Sequence, residues 1–250
     1  MRIAVVGGTG VAGRYTVEAA RAAGHDAVAL SRSTGVDVET GEGLKAALAG
    51  VDVVVDASNA PSTGRRRATA FFEAAARNLQ ESGAAAGVRH LVVLSIVGVD
   101  RVPGFAYYDA KQAHEAAART GPLPVRVLRA TQFHEFAGQL LDRLAVGPVA
   151  PIPSMRVRPV AARTVGEHLV AVAVGPDLDR PAEVAGPEAL PLVDLARRTA
   201  RARGTRTLVV PLHVPGRAGA ALRSGALLPG SDAVVDGPGP EAWIRSADFR

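Results

Sequence analysis

The sequence predicts an α/β fold in which a doubly wound parallel sheet is covered by helices on both faces. Three observations predict it. Short, continuously apolar runs rich in β-branched residues recur along the first half, helix-like stretches rich in alanine lie between them, and the first run leads into a glycine turn. Continuously apolar strands separated by helices are typical of a parallel sheet that is buried on both faces. Right-handed crossovers then place helices on either side of it.

Five strands are predicted, in chain order, from the runs "RIAVVG", "DAVAL", "VDVVVDAS", "RHLVVLS" and "PVRVLRA". After about residue 145 the pattern loosens into segments rich in proline and glycine, such as "VGPVAPIPSM", with further short strands and helices between them. Residues 1–145 are therefore predicted to form the core, and residues 146–250 a smaller region of the same domain that closes over the sheet.

The composition indicates a soluble globular protein. Of the 250 residues, 48% are hydrophobic and 21% are charged, and no apolar run approaches the roughly 18 residues that a membrane-spanning helix needs. The absence of cysteine excludes disulfides and thiolate metal sites. The first apolar run is too short for a signal peptide. We expect a cytoplasmic protein without a membrane partner.

The formal net charge of +5 raises the alternative of nucleic-acid binding. The arginines are scattered, however, and aromatic residues make up only 4% of the chain, so no stacking platform accompanies a basic stripe. The one dense cluster, residues 65–67, stands at a predicted helix start and is expected to be a solvated face. We expect no nucleic-acid partner, and a monomer or homodimer that binds a small molecule.

The stretch "RIAVVGGTGVAGRYTVEAARAAG" predicts a strand, a glycine turn and a helix in immediate succession. It fits Gly-x-Gly-x-x-Gly through Gly8, Gly10 and Gly13, and a second glycine spacing that starts at Gly7. Glycines at these positions permit a tight turn and the close approach of a pyrophosphate to amides at a helix N-terminus. Because the required strand and helix flank the motif directly, the loop indicates a dinucleotide site.

The end of the second predicted strand bears on the choice between NAD and NADP. A site that prefers NAD places a carboxylate there for the ribose 2′-hydroxyl. This chain has Ser31, Arg32, Ser33 and Thr34 instead, and a guanidinium with neighbouring hydroxyls suits a 2′-phosphate. The alternative is that Arg32 is an ordinary surface residue of an arginine-rich chain. We expect NADP to be preferred.

The segment "PGFAYYDAKQAHEAA" puts one of only two lysines in the chain a helical turn after two adjacent tyrosines. Residues three or four apart on a helix share a face, so either Tyr107 or Tyr108 could lie beside Lys111. An adjacent ammonium lowers the pKa of a phenol and adapts it to give a proton to a carbonyl oxygen as hydride arrives. Lysine also has three compact donors that can reach ribose hydroxyls.

Ser95 ends the fourth predicted strand, at the edge where open α/β sheets bind ligands. With the "GGTGVAG" loop and the spacing of Tyr107 and Lys111, the chain resembles the short-chain dehydrogenase/reductase superfamily. The stretches "VRVLRATQFHEFAGQLL", "PVAARTVGEHLVAVA" and "VAGPEALPLVDLARRTA" are similar to its atypical, NmrA-like NAD(P)-binding branch. The resemblance spans nearly the whole chain. It implies a Rossmann-type fold in which residues 1–145 bind NADP and residues 146–250 bind the substrate.

The resemblance also implies roles for individual residues. Ser95 would orient the substrate carbonyl, Tyr107 would be the acid, and Lys111 would tune the tyrosine and hold the ribose. Asn78 would match the asparagine of the superfamily's proton relay, and Asn59 lies where the family's loop passes the cofactor. The expected cofactor-binding residues are Gly7, Thr9, Gly10, Val11, Ala12, Gly13, Ser31, Arg32, Asp37, Val38, Ala57, Ser58, Asn59 and Lys111.

One departure from the family's pattern follows the fifth strand, where Arg129-Ala130-Thr131 replaces Arg-Pro-Thr. The segment after it is expected to line the substrate pocket, with the alternative that its phenylalanines belong to the core. The expected pocket residues are Thr131, Phe133, His134 and Phe136.

No metal site is predicted. His134 beside Glu135 resembles a fragment of a zinc motif, but the second histidine is missing because position 138 is glycine. Trp243, near the end of the chain, is expected to be a packing residue.

Together these features predict an NADPH-dependent reductase of a carbonyl or quinone-like small molecule, in secondary metabolism. Two alternatives stay open. NmrA-like members include redox sensors that bind NADP without turnover, and a redox-neutral isomerase or epimerase would use the bound dinucleotide internally. The combination of Ser95, Tyr107 and Lys111 favours the reductase, since many of the sensors lack the tyrosine.

Overall fold

The computed structural model describes residues 1–249. Its strands are β1 (Arg2–Val6), β2 (Asp26–Leu30), β3 (Val53–Asp56), β4 (His90–Ile96), β5 (Val125–Ala130), β6 (Val149–Pro153), β7 (Arg156–Val157), β8 (Ala182–Ala185), β9 (Leu190–Pro191), β10 (Leu208–Leu212) and β11 (Val234–Val235). Its α-helices are α1 (Val11–Ala22), α2 (Leu44–Ala47), α3 (Arg65–Ala85), α4 (Ala106–Ala118), α5 (Glu135–Leu144), α6 (Ala162–Val174), α7 (Leu192–Ala202), α8 (Gly216–Ser224) and α9 (Pro240–Ile244).

Seven of these strands form one sheet in the order β11-β8-β5-β4-β3-β1-β2. β1 pairs in parallel with both β2 and β3, and β3 pairs in parallel with β4. The chain therefore leaves β1 toward one side of the sheet to form β2 and crosses to the other side to form β3. The strand order reverses between β1 and β3, which is the point where open α/β sheets bind ligands. The predicted doubly wound, Rossmann-type fold is confirmed.

The five strands predicted from apolar runs are β1 to β5, and their bounds agree with the runs closely. Every residue of β3 is buried, and so are the last four residues of β1. Burial of successive residues means that both faces are covered, which explains why these runs are continuously apolar rather than alternating. The predicted helix start at Arg65 is also confirmed, because α3 begins there.

The chain divides into two compact units. The first comprises Met1–Ser95, Ala106–Arg129 and Arg163–Ala182, and the second comprises Ile96–Phe105, Ala130–Ala162 and the described chain from Glu183 onward. The division predicted at residue 145, within one domain, stays a prediction.

In the first unit, α3 packs against α4 and supplies much of the core. Its apolar side chains at helical spacing, among them Phe72 and Leu79, are fully buried. The buried amide of Gln80 joins the two helices: it donates to the carbonyls of Ala118 and Leu123 and accepts from the Leu123 N–H. Because every polar atom of this amide has a partner, the glutamine is accommodated inside the core. α4 is thereby fixed against α3.

The second unit contains two small two-stranded sheets: β6 pairs in parallel with β10, and β7 pairs antiparallel with β9. β8 and β11 pair in parallel at the edge of the seven-stranded sheet. Trp243 of α9 is buried, stacks on His134 with ring centroids 5.1 Å apart, and meets Phe249 edge-on. These contacts are those expected of a packing residue.

Candidate active site

Two loops flank the point where the strand order reverses, one after β1 and one after β3. Their backbones are in contact, because a Cβ added at Gly7 would lie 2.7 Å from the carbonyl oxygen of Ala57 and 3.0 Å from the Cα of Ser58. Gly7 has a φ of 70°, which only glycine adopts easily, and its N–H donates to the Leu30 carbonyl at the end of β2. The carboxyl ends of three strands therefore converge around Gly7.

The other glycines of the β1–α1 loop have different surroundings. A Cβ at Gly13 would lie 2.1 Å from the carbonyl oxygen of Gly7, within the backbone of the loop. A Cβ at Gly10 would meet only that oxygen, at 3.1 Å. Gly10 is also the N-cap of α1 and provides no side-chain cap, so the amides of the first turn remain available to an anion. This open, amide-lined helix start fits a pyrophosphate.

The turn after β2 is held by its own hydroxyls. The Ser31 N–H donates to Oγ1 of Thr34 over 2.9 Å, and the hydroxyls of Ser31 and Ser33 lie 2.8 Å apart. Arg32 is exposed in this turn. An exposed arginine in a turn that carries hydroxyl side chains has the residue types that suit a 2′-phosphate, and the role of Arg32 in binding it stays a prediction.

Asp37 and Val38, two further residues of the predicted cofactor set, lie in the segment after this turn. The Asp37 carboxylate accepts from the N–H of Glu39 over 2.8 Å and so closes a tight turn, and Val38 is buried. The amide of Asn78 on α3 donates to the carbonyls of Val38 and Glu39 over 3.0 and 2.9 Å. Asn78 thus anchors this segment, and its participation in a proton relay stays a prediction.

The two adjacent tyrosines of α4 lie in different environments. The hydroxyl of the half-buried Tyr107 donates to Oδ1 of Asn59 over 2.6 Å, which ties α4 to the loop after β3. Tyr108 is buried, and burial raises the pKa of its hydroxyl. A phenol that is harder to ionise is a poorer proton donor. Burial therefore makes Tyr108 the less suitable acid of the two, and the role of Tyr107 as the acid stays a prediction.

Lys111 is almost completely buried. Its Nζ donates to the carbonyl of Leu94 over 2.8 Å and to Nδ1 of His114 over 3.0 Å, and it lies 4.4 Å from the centre of the Phe72 ring. Burial lowers the pKa of Lys111 to about 8, although the charges of Asp56 and Glu115 oppose the shift. The ammonium form therefore still predominates at neutral pH.

Asp56 and His114 were not predicted from the sequence. His114 Nε2 lies 2.9 Å from Oδ2 of Asp56, and both side chains are fully buried. Burial alone would raise the pKa of Asp56, but the hydrogen bond from His114, together with contributions from Ser58 and from the charge of Lys111, lowers it to about 2. Two sequence signals were available: an aspartate ends the third apolar run, and a histidine follows Lys111 by three residues on the same helix face.

Ser95 is buried near the end of β4, and its Oγ has no hydrogen-bond partner among the described residues. A buried hydroxyl without a partner is uncommon, because the lost hydration is not compensated. The role of this hydroxyl in orienting a substrate oxygen stays a prediction. Ser58, after β3, has an Oγ in the same condition.

The predicted pocket residues after β5 belong to the second unit. The Thr131 hydroxyl donates to the Arg158 carbonyl, and the fully buried His134 has Nε2 at 3.0 Å from the carbonyl of Pro238. Burial lowers the pKa of His134 to about 4, so it is neutral at physiological pH and is not a cationic acid there. Phe133 and Phe136 are both half-buried. Their role as pocket lining stays a prediction.

Among residues 1–249, no group of three or more histidine, aspartate or glutamate side chains is arranged so that it could hold a metal ion. Within the same residues, no helix is both long and apolar enough to cross a membrane.

The chain is similar in sequence to known proteins. A family model described as NAD(P)H-binding matches residues 7–142. The photosystem II assembly factor Ycf39 of Synechocystis sp. is 30% identical over 183 residues, which make up 64% of this chain and 56% of that protein. The matched region thus spans little more than half the length of this curated relative.

Solved structures share the fold at low sequence identity. A nucleoside-diphosphate-sugar epimerase from Staphylococcus aureus is 16% identical with a TM-score of 0.70, over 98% of this chain and 100% of that one. A dTDP-4-dehydrorhamnose reductase from Yersinia enterocolitica is 16% identical with a TM-score of 0.63, over 85% of this chain and 84% of that one. At such identities the similarity shows a common fold.

Proposed function

The chain belongs to the NAD(P)H-binding family, within the atypical short-chain dehydrogenase/reductase superfamily, and on that premise we propose that it is an NADPH-dependent reductase of a carbonyl or quinone-like small molecule. One observation carries the proposal. The hydroxyl of Tyr107 donates to Asn59 in the loop after β3, and Lys111, whose ammonium is buried, follows Tyr107 by one helical turn on α4. The ring of Phe72 contacts both residues.

The residues around Gly7 would hold the cofactor. The amides at the start of α1 would bind the pyrophosphate, and the open space at Gly10 would admit it. Arg32 and Ser31 would bind the 2′-phosphate, since an arginine forms charge-assisted hydrogen bonds with phosphate oxygens. When bound, the dihydronicotinamide supplies a hydride.

The protein's own part in the reaction is to position a carbonyl and give it a proton. The Ser95 hydroxyl would donate a hydrogen bond to the substrate oxygen. Tyr107 would then pass its proton to that oxygen while the carbonyl carbon accepts hydride, so that a C=O bond becomes a CH–OH group. The Lys111 ammonium favours this transfer, because a nearby positive charge stabilises the phenolate that remains.

The Tyr107→Phe variant tests this assignment, because it keeps the ring and removes only the hydroxyl. General acid catalysis contributes about a hundred- to ten-thousandfold, and the proton moves in the transition state. We therefore expect kcat to fall by about that factor while the affinity for NADPH is retained. The measurement is NADPH oxidation over a panel of aldehydes, ketones and quinones, with cofactor binding determined separately by fluorescence titration.

Tyr108→Phe is the matched control, because it removes the neighbouring hydroxyl, which is buried. Its effect on turnover should be milder. Lys111→Arg should be impaired although it keeps the charge, because a planar guanidinium cannot occupy the site of a compact ammonium. Native turnover by Tyr107→Phe on a confirmed substrate would remove Tyr107 from the mechanism.

A second candidate is an NADP-binding regulatory protein without turnover. It is favoured by the curated relative, which is named as an assembly factor rather than as an enzyme. It is also compatible with the Tyr107 hydroxyl, which donates to Asn59. Tight NADPH binding without cofactor oxidation by any member of the panel would support this candidate. Product formation without net NADPH consumption would instead support an isomerase or epimerase.

A further inference from the structure

Three ionisable side chains form a hydrogen-bonded row inside the first unit. Asp56 ends β3, and Lys111 and His114 lie one turn apart on α4. The Asp56 carboxylate is 2.9 Å from His114 Nε2, and His114 Nδ1 is 3.0 Å from Lys111 Nζ. Lys111 is 4% exposed and the other two are 0% exposed, so water does not take the place of any contact in the row.

The contacts determine where the protons lie. An ammonium can only donate, so Nδ1 of His114 must accept the hydrogen bond from Lys111. The single imidazole proton is then on Nε2, where it donates to the Asp56 carboxylate. A doubly protonated imidazole cannot accept from Lys111, and burial followed by the Lys111 charge lowers the pKa of His114 in agreement with this. The row therefore runs from carboxylate through neutral imidazole to ammonium.

The row also limits what Lys111 can contact. An ammonium has three N–H donors, and the Leu94 carbonyl and His114 Nδ1 take two of them. Among residues 1–249 no protein acceptor is found for the third. The Phe72 ring lies against the ammonium at 4.4 Å and stacks on the His114 ring with centroids 4.8 Å apart, so both groups are confined on this side as well.

We propose that His114, held by Asp56, is a positioning residue that fixes the Lys111 ammonium and leaves it one N–H for the active site. The inference rests on the proposed function, in which Lys111 acts on Tyr107 and on the cofactor. Through its hydrogen bonds to both residues, His114 lets the negative charge of Asp56 favour the protonated form of Lys111, which burial disfavours. Asp56 and His114 touch no reacting atom and act through Lys111.

The charged surroundings of the row are few. On α4 itself, Glu115 faces the row and is paired with Arg129 of β5 through two hydrogen bonds of 3.0 and 2.9 Å. The phenol of Tyr107 lies one turn earlier on α4. The neighbouring elements contribute an uncharged ring, Phe72 on α3, and a carbonyl, Leu94 on β4. Asp56 and Glu115 are therefore the carboxylates that sustain the charge of Lys111.

The native protein without cofactor provides the first test. In long-range ¹H–¹⁵N spectra at pH 7, His114 should be neutral with its proton on Nε2. The chain has only two lysines, so ¹³Cε labelling gives two signals, and the exposed Lys45 supplies the reference. The Lys111 signal should titrate at about pH 8. A proton on Nδ1, or a doubly protonated His114, would overturn the proposal without any variant.

Two substitutions at His114 separate positioning from packing. His114→Phe keeps an aromatic ring against Phe72 and removes both hydrogen bonds. His114→Gln keeps one donor and one acceptor and should restore most of the contact. We expect the Lys111 titration to move down by about one pH unit or more in the Phe variant, and kcat to fall about ten- to a hundredfold. The Gln variant should be close to native in both measurements.

His90→Phe is the matched control, because His90 is also a buried histidine of the first unit and its Nε2 donates to a single backbone carbonyl, that of Ala173. It should leave the Lys111 signal unchanged. An unchanged Lys111 titration in a folded His114→Phe protein would overturn the proposal, and if that variant does not fold, the native tautomer decides. Failure of the proposed function is seen separately, as native turnover by Tyr107→Phe, and leaves the NMR result standing.

Discussion

At the residue scale, three polar side chains of α4 are arranged around one apolar ring, Phe72. His114 stacks on it, Lys111 lies over it, and Tyr107 meets it edge-on with centroids 6.3 Å apart. Electrostatic interactions are stronger where water is excluded. Exclusion of water around the ring therefore makes burial of the Lys111 charge costly and, for the same reason, strengthens its interaction with Asp56.

Arg32 is expected to determine the preference for NADPH. Replacing Arg32 by alanine removes a charge-assisted contact to an exposed phosphate, which corresponds to roughly 1.5–3 kcal/mol, or about ten- to a hundredfold in affinity. NADPH binding should weaken by this factor, and NADH binding should hardly change. Isothermal titration with both cofactors measures it. Arg66→Ala, at another exposed arginine, is the control, and unchanged NADPH affinity in Arg32→Ala would show that Arg32 does not bind the phosphate.

His134 is expected to make stability depend on pH. Its pKa is lowered by burial from 6.5 to about 4. As the pH falls, the His134 imidazole is therefore protonated in the unfolded chain before it is protonated in the folded protein. The contribution of His134 to the free energy of unfolding is therefore fully present above pH 6.5 and decreases progressively toward pH 4. The order-of-magnitude relation between pKa and free energy gives a total loss of about 3 kcal/mol.

Urea unfolding of native protein and His134→Gln between pH 7 and pH 4 measures this loss. The glutamine can still donate to the Pro238 carbonyl, but it does not titrate, so the decrease should be clearly smaller in the variant. His213→Gln, at an exposed histidine, should behave as the native protein does. Equal losses in native protein and His134→Gln would contradict the assignment.

At the element scale, two glycines of the β1–α1 loop are required for different reasons. Gly13 lies where the helix start meets the backbone of Gly7, and Gly10 lies where the loop is open. The first position is required by packing inside the protein, and the second leaves room for a ligand. A sequence motif alone gives both glycines the same weight.

The two glycines are therefore expected to respond differently to valine. Gly13→Val forces a side chain against backbone atoms and should destabilise the protein by about 3 kcal/mol or more. Gly10→Val should cost about 1 kcal/mol through the poorer N-cap but should abolish NADPH binding by filling the pyrophosphate space. Thermal unfolding and cofactor titration separate the two effects. Normal NADPH binding by a folded Gly10→Val protein would exclude the loop as the pyrophosphate site.

At the scale of the whole molecule, arginines on several elements form local ion pairs with acidic side chains. Arg65 pairs with Asp109, and Arg67 pairs with Glu39, so two of the three arginines in the dense cluster have acidic partners. All three are exposed, as expected of a solvated face. The absence of a nucleic-acid partner stays a prediction. The preference for a small-molecule partner, and for a monomer or homodimer, stays a prediction.

The sequence by itself determined β1 to β5 and the glycine loop, because apolar runs and turn glycines act through neighbouring residues. It placed Lys111 one turn from two tyrosines, but helical spacing could not choose between them. The tertiary structure distinguished them by burying Tyr108 and bringing Tyr107 to Asn59.

The row from Asp56 through His114 to Lys111 was also decided only by the tertiary structure. Asp56 and His114 are separated by 58 positions, and neither residue type signals the other at that distance. They meet because parallel pairing puts the end of β3 beside the helix that packs on α3. Local patterns thus determined the elements and the motif, whereas contacts between distant elements determined which side chains surround the lysine.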